Sequence, residues 1–205
     1  MNPRMKLVSI TVMAGMVGAF TACSVIPAVT PDLTRYYVLT TAIPSETPVP
    51  AGTPPRILLR PVVVPEFLRG RIMQVRVGRN EVRFIDNARW AEPLESGLNR
   101  VLGEDLGQRA GAVRLVARGA EEHDFEVLVH IRQFEGGLPA GAAAITAHVE
   151  IYSADPEPKL LVQDDFTASI PGWDGKDHGQ LADKLSGATA ALAEKIIALV
   201  RSTKG

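Results

Sequence analysis

Cysteine, aromatic side chains and surplus charge are what this chain has least of: one cysteine in 205 residues, 5% aromatics and a formal net charge of −1. The lone Cys23 excludes an intrachain disulfide, so the fold has to be held by an apolar core. It also excludes thiolate-rich metal centres, and the four histidines, His123, His130, His148 and His178, do not stand at metal-ligand spacing. No basic stripe is present to line a nucleic-acid groove.

The usual signatures of catalysis are equally scarce. No serine lies in a Gly-x-Ser-x-Gly context, and Ser96-Gly97 falls inside a helical pattern. Gly136, Gly137 and Gly141 are not followed by the Lys-Ser/Thr of a phosphate loop, so any nucleotide hydrolysis belongs to another chain. Asp164 and Asp165 are adjacent carboxylates in a strand, but nothing else in the sequence offers a cleft around them. Alternation sends Asp164 inward between Val162 and Phe166, where an ionised group is costly unless paired. A local bulge that releases both acids to solvent is the expectation. His130 and His148 fall on outward faces of adjacent strands and read as cross-strand neighbours. The chain is therefore expected to be no enzyme, with no catalytic residue, no metal and no cofactor.

What is present begins with a targeting segment. Arg4 and Lys6 precede a 14-residue apolar stretch, Leu7 to Phe20, which is shorter than the roughly 20 residues needed to span a bilayer. Met1 to Ala22 reads as a secretory signal, and Phe20-Thr21-Ala22-Cys23 resembles the bacterial lipobox, with Phe20 where Leu is usual. That resemblance implies cleavage before Cys23 and acylation of its thiol, by palmitate or a similar chain. An ordinary signal peptide with an incidental cysteine is the alternative. Ser24, where lipoproteins retained in the inner membrane often carry Asp, implies an anchor in the outer membrane, facing the periplasm. Losing Arg4 and Lys6 leaves the mature chain two charges more negative than the whole.

Residues 23–34 contain Pro27 and Pro31 and read as a tether; residues 24–34, fully extended, reach about 36 Å at ~3.3 Å each. The domain is expected over 35–205. Arg35 to Leu39 predicts a first strand, the Pro-rich stretch Ile43 to Pro55 a loop, and Arg56 to Val64 a covered strand with a bulge or edge at Pro61. Pro65 to Leu68 makes one helical turn. Arg71 to Val77 and Glu81 to Ile85 form a hairpin around Gly78-Arg79-Asn80. Asp86 or Asn87 caps a helix whose stripe is Trp90, Leu94, Leu98, Val101, Leu102 and Leu106.

Val113 to Ala117 predicts a short strand. Asp124 to Phe134, Ala143 to Tyr152 and Lys159 to Ile170 alternate strictly and predict an antiparallel meander. Asp177, with Gln180 three residues on, opens a final helix with Leu181, Leu185, Ala188, Leu192, Ile196 and Val200 on one face. The fold class is α+β: one domain, a mostly antiparallel sheet packed against two long amphipathic helices. Trp90 reads as a core anchor. Phe67, Leu68 and Trp173 lie in loops and, with Arg69 and Arg71 framing the first two, are the candidate partner or lipid contacts.

Three features in this order carry a resemblance: an apolar strand ending Val64-Pro65-Glu66-Phe67-Leu68, a strand with alternating Arg, and Asn87-x-x-Trp90-x-x-Pro93-Leu94. Together with Tyr36-Tyr37-x-Leu39 at the domain start, they resemble the ABC-type transport auxiliary lipoproteins, from about Arg35 to the C-terminus. That family includes the paraquat-inducible Pqi C-type lipoprotein, which accompanies mammalian-cell-entry (MCE) lipid-transport proteins. The resemblance implies a non-catalytic auxiliary of phospholipid transport between membranes. It implies an MCE-domain partner whose tunnel it docks to the outer membrane, and a homo-oligomeric ring. A lipoprotein that chaperones or plugs an outer-membrane β-barrel is the alternative.

Overall fold

The computed structural model describes residues 31–42, 52–109, 111–117, 119, 122–138 and 140–203. Cys23, the signal segment, most of the tether and most of the Pro-rich loop lie outside the described residues.

The sheet is built on β6 (Phe125–Gly137), which pairs antiparallel along its length with β7 (Ala142–Ser153). Alternation buries Phe125, Val127, Val129 and Ile131; a register shift between Ile131 and Gln133 then changes the phase, so that Phe134 returns to the core. β8 (Leu160–Pro171) adds antiparallel to β7, completing the expected meander. The other edge of β6 is shared. β2 (Arg56–Leu59) runs parallel to its first residues, Val63 bridges His130 at its middle, and β3 (Ile72–Gly78) runs parallel to its end. β5 (Arg114–Leu115) lies outside β2; β4 (Glu81–Trp90) pairs antiparallel with β3; β1 (Arg35–Tyr37) runs parallel to β4.

The eight-stranded sheet is thus mixed, so the expectation of a mostly antiparallel sheet holds for the long pairings and not for the short ones. The long pairings are antiparallel because tight turns join them. The short β1, β2 and β5 meet their neighbours only after long excursions of the chain, which permits parallel pairing.

α1 (Leu94–Gln108) and α2 (His178–Ser202) pack against each other; α2 lies on β6, β7 and β8, and α1 beside β5. α1 has 15 residues, about 22 Å, and α2 has 25, about 38 Å, so only the second is long. α2 starts as its sequence indicates, with the Asp177 carboxylate accepting from the N–H groups of Gly179 and Gln180. α1 starts later than expected. Asp86, Asn87 and Trp90 belong to β4, because Ala88 to Trp90 pair with β1, and Pro93 opens the helix without a side-chain cap. Trp90 is still a core anchor, buried with its ring 6.1 Å from that of Phe134. No helix among the described residues is long and apolar enough to cross a membrane.

Candidate functional site

Pro65 holds its φ at −65° and leads a single 3-10 turn, Glu66–Leu68, closed by Leu68 N–H donating to Pro65 O at 2.9 Å. Gly70, at φ +93°, then reverses the chain so that its carbonyl accepts from Leu94 N–H and that of Arg71 from Trp90 N–H. One turn cannot point neighbouring side chains the same way. Phe67 stays 41% exposed, whereas Leu68 is buried at 4% and is removed from the candidate contacts. Arg69 is exposed and paired with Glu66 at 2.9 Å; Arg71 is exposed as well.

Strand register sets further exposed side chains beside this turn. Tyr36, Arg89 and Ile72 form one row across β1, β4 and β3, and paired residues share a face. Tyr36 and Ile72 are exposed, and the Arg89 guanidinium is tied to the carbonyls of Ile85 and Ala88. Tyr36 and Ile72, with Arg89 between them, make one exposed row, and Phe67, Arg69 and Arg71 are exposed on the chain that leads into β3.

A second row, Val63, His130, His148 and Asp165, crosses from the residues after β2 to β8. His148 Nδ1 donates to Asp165 Oδ1 at 2.6 Å, and Arg132 reaches the other oxygen at 3.2 Å. The His148 hydrogen bond, above all, holds the Asp165 carboxyl below the usual range. Asp164 does not escape through a bulge, since register is unbroken at Val149↔Asp164 and His148↔Asp165, and the irregularity lies near Leu161. It stays on the helix side and is neutralised by Lys195 of α2, whose hydrogen bond pushes its pKa down. Each acid therefore has its own cation and stays ionised. No group of three His, Cys, Asp or Glu able to hold a metal ion occurs among the described residues.

Trp173 is the larger correction. The sequence places it in a loop as a candidate contact, yet it is buried at 3%, with Nε1–H donating to Asp177 O at 2.8 Å and its backbone N–H to Gly141 O at 2.9 Å. Gly172 and Gly175, both at positive φ, let the loop fold the indole inward over Gly136. A glycine pair closing the long strand β6 is the sequence signal that something large fills that space.

The same loop borders an open groove that the sequence did not single out. One half, about 480 Å³, is lined by Arg83, Phe84, Ile85, Asn87, Leu138 and His178 among others. The adjoining half, about 470 Å³, shares Asn87 and His178 and adds Arg35, Tyr37 and Lys176. His178 stands edge-on to Tyr37 at 6.3 Å between ring centres. Burial pushes its pKa down, helped by Arg35 and opposed by Asp177 and Asp174.

Residues 37–197 match the family described as ABC-type transport auxiliary lipoprotein component. The chain belongs to that family. No curated protein matches it. Two solved structures are similar. One is the protein XCC0632 from Xanthomonas campestris, of the family DUF330: TM-score 0.70, 17% identity, 83% of this chain and 96% of that one. The other is the crystal structure of an uncharacterized protein: TM-score 0.67, 18% identity, 82% of this chain and 98% of that one. At these identities the likeness is one of fold.

In this transport auxiliary lipoprotein, Asp164 and Asp165 are matched to cations and the Trp173 indole is packed away. The outward-facing groups are Phe67 with the exposed row of Tyr36 and Ile72, and the groove beside His178.

Proposed function

We propose that the protein is an outer-membrane-anchored lipoprotein on the periplasmic side, acting as a non-catalytic auxiliary of an MCE/ABC-type system that moves phospholipid between membranes. The observation that carries this reading is the family match over residues 37–197. The lipobox-like Cys23 behind a signal segment supports the anchor. Phe67, Ile72 and Tyr36, framed by Arg69 and Arg71, are the surface offered to an MCE-domain partner, since exposed aromatic and Arg side chains are favoured at contact hot spots. Copies of the chain assemble around that partner as a ring.

The test is cross-linking of the full-length protein in intact cells, followed by mass spectrometry of what co-purifies, beside a Cys23→Ala control. An MCE-domain protein recovered with the acylated chain and depleted in the control is the expected result. Recovery of an outer-membrane β-barrel alone would replace this reading with that of a barrel chaperone or plug.

A further inference from the structure

The groove lies where the chain enters the domain: Arg35, the first residue of β1, lines it, and Leu33, two residues earlier, is 73% exposed. Its charges are balanced in number but not in availability. Asp174 Oδ1 accepts from the N–H groups of Lys176 and Asp177, and Asp177 caps α2. Among the described residues Arg83 and Asp86 have no ion-pair or hydrogen-bond partner through their side chains, Lys176 has only the charge of Asp174 nearby, and Arg35 stacks 6.0 Å from the Tyr37 ring centre with the His178 imidazole in its field. Three cations and one acid are thus left to meet something outside the domain. Phe84, 51% exposed, stands on the rim beside them.

We propose that this end of the domain rests on the phospholipid headgroups of the membrane that holds the anchor. Arg35, Arg83 and Lys176 meet headgroup phosphates, Asp86 meets the ammonium of ethanolamine, and Leu33 and Phe84 enter the interface. The inference rests on acylation at Cys23. The 11 residues between Cys23 and Arg35 span at most about 36 Å, so an anchored chain keeps this end within reach of the leaflet. Contacts too weak to recruit a free protein become effective when a tether supplies the local concentration. Three available cations with one acid among them match the phosphates and the ammonium of a phosphatidylethanolamine surface, and arginine with exposed aromatic and aliphatic side chains is the composition that settles at a bilayer interface.

The test uses the full-length acylated protein in vesicles of phosphatidylethanolamine and phosphatidylglycerol. With Cys23 acylated, an introduced cysteine is the only free thiol. A fluorophore is attached at Phe84→Cys or, at the far end of β8 about 36 Å along the strand from Pro171, at Lys159→Cys. A lipid carrying a headgroup nitroxide then quenches whichever label lies at the surface. The expected result is quenching several-fold stronger at position 84, falling to the level of position 159 when Arg35, Arg83 and Lys176 are changed to Glu. Equal quenching at both positions in an acylated, vesicle-bound protein would overturn the orientation while leaving the anchor in place. A chain whose mass shows no acyl group, and which does not float with vesicles, would remove the anchor and the orientation with it.

Discussion

The indole of Trp173 occupies the space that a side chain on Gly136 would need: a Cβ built there would stand 2.7 Å from the ring carbon Cη2. Gly136→Ala therefore forces the 171–177 loop to lift or β6 to shift. The expected cost is about 1–3 kcal/mol, the range for overpacking a filled core. Denaturant unfolding measures it, and a red-shifted native emission that persists with Trp90→Phe in the background locates the change at Trp173. Trp173→Ala, which leaves a hole instead, is expected to cost about 3–5 kcal/mol.

Glu135 is fully buried and accepts from Arg76, from Gln133 Nε2 at 3.1 Å and from Gln74 Nε2 at 3.5 Å. Removing the cation strands a buried carboxylate. Arg76→Leu is expected to destabilise the domain by about 3 kcal/mol, the lower end of the range because Arg76 is partly exposed. Arg76→Leu with Glu135→Leu is expected to recover most of that loss. A double-mutant cycle by chemical denaturation reads the coupling.

His178 has a folded pKa below its unfolded value near 6.5, because burial disfavours the imidazolium. The unfolded state therefore binds more protons in that region, and stability falls as pH drops from about 7 through 6.5 toward the lower folded pKa. His178→Gln is expected to flatten that slope in Tm measured against pH. Asp164 and Asp165 are also depressed, so their contribution is present above about pH 4 and disappears in acid.

Asp105 is buried inside α1 with no side-chain hydrogen-bond partner for its carboxylate among the described residues. Burial raises its pKa, partly opposed by Arg109 and the Ala42 backbone. A carboxyl with a raised folded pKa costs stability as pH rises through its unfolded value. Asp105→Asn is accordingly expected to stabilise the protein at neutral pH, with the gain shrinking below about pH 4. Thermal melts at both pH values check it.

Phe67→Asp with Arg71→Glu alters only exposed side chains, so the Tm is expected to hold, the change in stability staying within about 0.5 kcal/mol. Recovery of the cross-linked partner is expected to drop several-fold. An unchanged yield would move the contact surface elsewhere.

The meander and α2 were legible because strict alternation and a capping Asp are local signals, and β6 to β8 and Asp177 obey them. The parallel pairings of β1, β2 and β5 were not, since three or four residues carry no mark of which strand they will meet. Trp90 shows how tertiary pairing outvotes a local cap: hydrogen bonding with β1 keeps residues 88–90 extended. Between Phe67 and Leu68, apolar character could not say which one turns inward. Arg35, Arg83 and Lys176 carry no local mark either, because each is an ordinary surface cation until the fold gathers them around one groove.

The divided edge of β6 has a dynamic consequence. Among the described residues the wing formed by β1, β3 and β4 pairs with β6 at Val75↔Gly136 and Arg76↔Gly137, joined by Leu138 N–H donating to Arg76 O and by the Arg76–Glu135 and Trp90–Phe134 side-chain contacts, whereas β7 holds β6 along its whole length. Such a wing can open as a unit while the meander stays closed. In native-state hydrogen exchange, amides from Met73 to Trp90 should exchange together, by a subglobal opening less costly than the one that frees Val127 or Val149. Tyr36 and Ile72 of the candidate contact surface lie on that wing, so a partner seated there is expected to slow that exchange before altering anything in the core.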